Sequence, residues 1–157
     1  MANCCNNSNV RVSSCCCGDV SRILPTSSMA VAELLNIQEQ TITGTNTLVA
    51  FSTTEALKNA TVSENGITVN NGGTYLINYG INATNTTGSA VSIYVNGTEV
   101  PNTRITLEAV GNINGSKLLT LNSGDTISLR SSVISTNIEL PANTLNAFVT
   151  LVPVYNQ

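Results

Sequence analysis

The cysteines are the most reactive side chains of this chain, and all five lie within its first seventeen residues. They form one pair and one triplet: Cys4, Cys5, Cys15, Cys16 and Cys17. Adjacent cysteines seldom bridge each other because the bond geometry is strained. An odd number also leaves one thiol for an intermolecular bond or unpaired. We therefore predict disulfides between subunits.

Three other fates of these thiols stay open. The pair can bond to the triplet within one chain, the cysteines can bind a metal, or they can remain inert thiols. A mononuclear zinc site fits poorly, because the sequence has no histidine and no Cys-x₂-Cys pair. We expect no metal site and no cofactor.

Catalytic chemistry has little support elsewhere in the sequence. Without histidine no Ser-His or Cys-His pair can form. The nine carboxylates are scattered singly and suggest no acid/base pair. A redox catalyst would usually carry Cys-x-x-Cys, which is missing. We therefore expect that the protein is not an enzyme.

The charge pattern argues against two classes of partner. Charged residues make up 10% of the chain, and the net charge is −3. The six basic residues are scattered, so we expect no binding to nucleic acid or to an anionic membrane. No apolar run reaches the roughly 18 residues of a membrane span. The first residues lack the apolar core of a secretory signal, so we expect synthesis without a signal peptide.

Composition divides the chain into three segments. Residues 1–22 are rich in Asn, Ser and Cys, and we predict a flexible arm there. Residues 23–43 are predicted as a bridge, whose apolar positions fit helix and strand templates equally poorly. Residues 44–157 are predicted as a single β domain.

Short alternating segments between Gly and Asn turns define this β domain. They predict an all-β, antiparallel sandwich or barrel. Asn96-Gly97 lies between two alternating segments and is a strong hairpin signal. The predicted strands cover about residues 47–51, 60–63, 67–69, 72–82, 91–95, 98–100, 104–108, 117–121, 126–130 and 145–154.

Two groups of side chains invite a binding interpretation. Tyr75, Tyr79 and Tyr94 could form a platform for carbohydrate, but packing is favoured because Tyr75 and Tyr79 share a strand face with isoleucines. Asp125 could bind calcium, but the chain has only two Asp, and a turn role after Gly124 is favoured.

Two motifs in the β domain carry a family resemblance. One is Gly-x-Tyr-x-Ile-x-Tyr over residues 73–79, and the other is Leu-x-x-Gly-Asp-x-Ile-x-Leu over residues 121–129. With the segments at 91–97 and 147–154, they resemble the C1q/TNF-like jelly roll. The similarity is strongest to the C-terminal domain of the collagen-like exosporium glycoprotein of bacilli. This chain has no Gly-X-Y stalk.

The resemblance implies a ten-stranded jelly roll that forms a tight homotrimer. The trimer contact would use the strand of Tyr75 and Tyr79, the strand 128–130 and the final strand. The residues that it assigns to trimer or core packing are Tyr75, Ile77, Tyr79, Ile81, Leu129 and Phe148.

The cysteine arm is similar to the N-terminal connectors of bacterial endospore appendage subunits. Together, head and arm predict a self-assembling, disulfide-linked fibre subunit on the bacterial spore surface, made in the mother-cell cytoplasm. Its partners would be two further copies in a trimer, more copies along the fibre, and an anchor or tip protein. The alternative is a trimeric C1q-like binding or adhesion module that the arm tethers to the spore.

Overall fold

A computed structural model describes residues 29–63, 66–84, 87–108 and 111–154. The predicted arm, and with it every cysteine, lies outside these ranges. No helix in the described ranges is long and apolar enough to cross a membrane. The strands are β1 (Val31–Asn36), β2 (Gln40–Ile42), β3 (Thr53–Lys58), β4 (Ala60–Ser63), β5 (Gly66–Val69), β6 (Gly73–Ala83), β7 (Ser89–Val95), β8 (Thr98–Glu99), β9 (Ile105–Leu107), β10 (Gly111–Leu121), β11 (Thr126–Val133), β12 (Ile138–Leu140) and β13 (Ala147–Pro153).

The strands form two main sheets around one core. One sheet has the order β10-β6-β13-β1-β3, and the other has β4-β5-β11-β7-β8 with β9 also paired to β7. A small third sheet joins β12 to β2. All pairings are antiparallel. The predicted all-β jelly roll is confirmed, although its strands are more numerous than the ten that the resemblance implied.

Side-chain alternation along β6 divides its residues between the core and the outer face of the sheet. Tyr75, Ile77, Tyr79 and Ile81 are all buried and project into one core. Successive strand residues face opposite sides of a sheet, so the residues between them face outward. β10 and β13 cover the two edges of β6.

The segment predicted as a bridge contains β1 and β2, which corrects the domain boundary at residue 44. β1 lies between β13 and β3, and it buries Ala32 and Leu34. Good helix formers in β1 are overridden because two neighbouring strands supply its hydrogen bonds. The folded head therefore includes the described residues from Met29 to Val154.

The predicted strand at 47–51 is instead an extended segment. Leu48 makes an isolated bridge to Arg130, and the Val49 N–H donates to the Leu129 carbonyl at 2.9 Å. Asn96 and Gly97 both have positive φ, of 51° and 80°, and they form the predicted hairpin turn between β7 and β8.

Candidate assembly face

Most side chains proposed for trimer or core packing lie inside a single head. Tyr75, Ile77, Tyr79, Ile81 and Leu129 are at most 2% exposed. Buried aromatic and aliphatic side chains of this kind stabilise the sandwich itself. They are inaccessible to a second subunit.

The two core tyrosines satisfy their hydroxyl groups within the head. The Tyr75 hydroxyl donates to the Asn71 carbonyl at 2.7 Å, and the Tyr79 hydroxyl donates to the Thr103 carbonyl at 2.7 Å. Burial raises the pKa of Tyr79. Tyr94 lies on the other sheet with the Arg130 guanidinium 5.8 Å from its ring centre. The three tyrosines therefore form no shared platform for carbohydrate.

Asp125 acts as a turn residue between β10 and β11. One carboxylate oxygen accepts the Asn122 N–H at 2.8 Å, and the other accepts the Asn96 side-chain amide at 2.7 Å. These hydrogen bonds, from Asn122 first, hold the pKa of Asp125 below its usual value. Within the described ranges, no group of three or more His, Cys, Asp or Glu side chains is placed to hold a metal ion.

The outward face of the five-stranded sheet carries apolar side chains that lie outside the core. Its first row crosses three strands, since Leu76 is in register with both Leu118 and Val152. Leu118 is 53% exposed and Val152 is 44% exposed. We call this surface, with the rows described next, the assembly face.

Phe148 belongs to this face rather than to the core. Its neighbours Ala147 and Val149 point inward, and its half-buried ring lies directly over Gly80 on β6. A Cβ at residue 80 would collide with the ring, so glycine is needed for this close approach. Leu35 of β1 is in register with Phe148 on the other side.

A polar row separates these two apolar rows. The Asn78 amide donates to the Thr150 hydroxyl at 3.2 Å, and Ser116 is in register with Asn78. Thr150 is in register with Glu33. Exposed apolar rows of this size, next to polar side chains, mark a surface for protein–protein contact.

The strands of the predicted trimer contact lie in two different sheets of the head. Residues 128–130 belong to β11 in the opposite sheet, so they do not share a surface with Phe148. Tyr75 and Tyr79 point inward, and their neighbours on β6 face outward. The sequence indicates this outward apolar surface, because Leu118-Leu119 and Leu151-Val152 place apolar side chains on both faces of their strands. Such runs indicate burial on both sides of a sheet.

Comparison with known proteins identifies both a family match and a fold match. A family model described as the BclA C-terminal domain matches residues 33–154. No curated protein matches the chain.

Three solved structures share the fold at low sequence identity. The Eiger TNF from S. frugiperda aligns with a TM-score of 0.59 at 12% identity, over 83% of this chain and 95% of its own. Murine APRIL aligns with a TM-score of 0.55 at 14% identity, over 80% and 99%. Rabbit GITRL aligns with a TM-score of 0.53 at 14% identity, over 82% and 96%.

Proposed function

Because the chain belongs to the BclA C-terminal domain family, we propose that it is a structural subunit of a fibre on the bacterial spore surface. The observation that carries this proposal is that the exposed apolar face and the cysteines lie on different parts of the chain. The head has its own apolar core, an exposed apolar face and no cysteine, whereas all five cysteines lie on the N-terminal arm, residues 1–22.

The heads associate as trimers through the assembly face. Leu118, Val152 and Phe148 gain burial there, and each large apolar side chain contributes on the order of 1.5–3 kcal/mol when it is fully removed from water. The C1q/TNF-like fold supports a trimeric arrangement. The side chains of this face lie outside the core of the head, so the face is free for subunit contacts.

The arms join one trimer to the next. A head-to-tail contact that repeats without closing produces a filament. Three arms on one trimer bind together, so weak single contacts combine into a strong attachment. Fully extended, a 22-residue arm spans roughly 70 Å at about 3.3 Å per residue. This length reaches well beyond a head of this size.

Disulfides between arms then make the contact covalent. Each bond converts two thiols into one disulfide and passes two electrons and two protons to an oxidant, either dioxygen or an existing disulfide. The head supplies no cysteine, so every partner thiol belongs to an arm or to an anchor or tip protein on the spore.

The family match supports a position on the spore surface. The fibre takes its length from repeated subunits. We propose synthesis in the mother cell and oxidation after assembly.

Negative-stain electron microscopy of the purified full-length protein, with and without reductant, tests this function. We expect filaments that shorten or separate when the disulfides are reduced. Discrete trimers under both conditions would contradict the fibre proposal and favour the adhesion module tethered by its arm.

A further inference from the structure

An apolar groove opens between β1 of one main sheet, β4, β5 and β11 of the other, and the segment 48–51. Its volume is about 320 Å³, and it is lined by Leu34, Leu48, Phe51, Val62 and Leu129 together with smaller residues. This volume lies at the low end of the range for small-ligand sites. The groove is separate from the assembly face, because Leu34 and Leu129 point toward the core.

The strands that flank the groove leave interior-facing apolar side chains uncovered. Val62 of β4 is in register with the buried Ile67, so both lie on the inner face, yet Val62 is 39% exposed. Leu57 of β3 is in register with the buried Ala32 and is 49% exposed. The sandwich therefore lacks a cover along this edge.

The edge of β4 is also open for backbone pairing. β4 ends its sheet and pairs with β5, and no other strand in the described part of the chain pairs with it. An open edge strand beside an apolar groove is a template for an extended peptide, which adds as a strand and inserts alternate side chains.

The arm contains one segment with the matching pattern. In Ser8–Ser14, Val10 and Val12 alternate with polar residues, and β-branched side chains favour an extended strand. Two such valines lie on one side about 7 Å apart. The other apolar stretch of the N-terminal region has Ile23 and Leu24 adjacent and ends at Pro25, so it lacks this alternation.

The charge and the length of the arm also favour the arm as the partner of β4. Residues 1–22 have two arginines and one aspartate, which gives +1, whereas residues 23–157 have four basic and eight acidic side chains, which gives −4. Met29, where the described chain begins, lies seventeen positions after Val12. That length reaches roughly 55 Å when extended, which is enough to cross to a neighbouring head.

We propose that the segment Ser8–Ser14 of a second copy binds along β4 and inserts Val10 and Val12 into the groove. This inference rests on the proposed fibre function and assigns the docking site of the arm. It places Cys5 and Cys15 just outside the two ends of the bound segment, where thiols of neighbouring arms can meet.

A cysteine-free peptide isolates docking from disulfide formation. The probe is a fluorescein-labelled peptide of residues 6–14, and the acceptor is the full-length chain with Val10→Asp and Val12→Asp, whose own arm cannot fill the groove. We expect saturable binding by fluorescence anisotropy. Adding Val62→Glu or the groove-filling Ala50→Trp to the acceptor should weaken binding at least about tenfold.

Leu145→Glu is the matched control, since Leu145 is an exposed apolar residue that does not line the groove. It should change binding less than about twofold. Absence of peptide binding, or equal binding to the Val62→Glu acceptor, would overturn the proposal.

Mixing two full-length variants under reductant distinguishes docking of the arm on a second copy from docking of the arm on its own head. The Val62→Glu chain retains its arm, and the Val10→Asp/Val12→Asp chain retains its groove. Docking between copies predicts a complex of the two in size-exclusion chromatography, whereas self-docking predicts none and overturns the proposal. Normal fibres without peptide binding would reject this docking site alone, and peptide binding without fibres would reject the fibre function alone.

Discussion

At the scale of single residues, Asp125 connects the turn between β10 and β11 to the hairpin turn between β7 and β8. Its carboxylate accepts hydrogen bonds from Asn122 within its own turn and from Asn96 in the β7–β8 hairpin. The Asn96 side-chain oxygen in turn accepts the Thr126 N–H at 2.9 Å. Both carboxylate oxygens of Asp125, which the sequence offered as a calcium ligand, therefore accept hydrogen bonds from N–H groups.

Replacing this carboxylate should lower stability and change its dependence on pH. The pKa of Asp125 is lowered in the folded head, so its stabilisation is present above the ordinary aspartate pKa of about 3.9 and is lost as the pH falls through the folded pKa. We expect Asp125→Asn to lose about 1 kcal/mol at pH 7.

Thermal melts of both proteins at pH 7, 5 and 3 check this expectation. The difference between the melting temperatures of the two proteins should shrink toward pH 3. The Glu99–Arg104 ion pair, which is 2.8 Å long, is common to both proteins and cancels in the comparison. A constant difference at all three pH values would contradict the role given to the carboxylate.

At the scale of elements, β6, β10 and β13 carry apolar side chains on both of their faces. Their inner side chains build the core, and their outer ones build the apolar row of Leu76, Leu118 and Val152. An isolated head would leave this row in water at a cost. The proposed association therefore uses the face of these strands that is opposite to the core.

A charge on the assembly face should separate association from folding. Leu118→Lys places an ammonium group on a position that is 53% exposed, so the head tolerates it, but a subunit contact would bury the charge at a cost of several kcal/mol. We expect a folded monomer by size-exclusion chromatography with light scattering, with the circular dichroism of the unmodified protein.

Leu145→Lys provides the control for this variant. Leu145 is 49% exposed and precedes β13, and it lies off the assembly face. It should leave the trimer intact. A trimeric Leu118→Lys protein would exclude this face as the subunit contact.

At the scale of the whole molecule, the proposed fibre separates docking from cross-linking. The arm would dock through backbone pairing and two valines, and the cysteines would fix the result. Non-covalent multivalent contacts can build a filament, but each remains reversible, whereas disulfides resist dilution and denaturant.

Replacing all five cysteines by serine should leave the fibre intact but remove its resistance to boiling detergent. We expect filaments of normal appearance by electron microscopy that fall apart in boiling detergent without reductant. The unmodified fibres should require reductant as well as detergent. Loss of all filaments in the five-serine variant would mean that the disulfides are needed for docking itself.

The sequence by itself determined the fold class, the hairpin at Asn96-Gly97 and the inward face of β6. These features depend on local alternation and turn chemistry, which are encoded within a few residues. The family motifs at residues 73–79 and 121–129 extended this local pattern to a C1q/TNF-like jelly roll, which the structure and the family match confirm.

Only the tertiary structure decided that residues 31–36 form a strand and that Phe148 faces away from the core. β1 is a strand because β13 and β3 flank it, although its own composition favours neither helix nor strand. Phe148 faces outward because its register places it over Gly80. Register and sheet order join residues that are far apart in sequence, so local pattern cannot specify them.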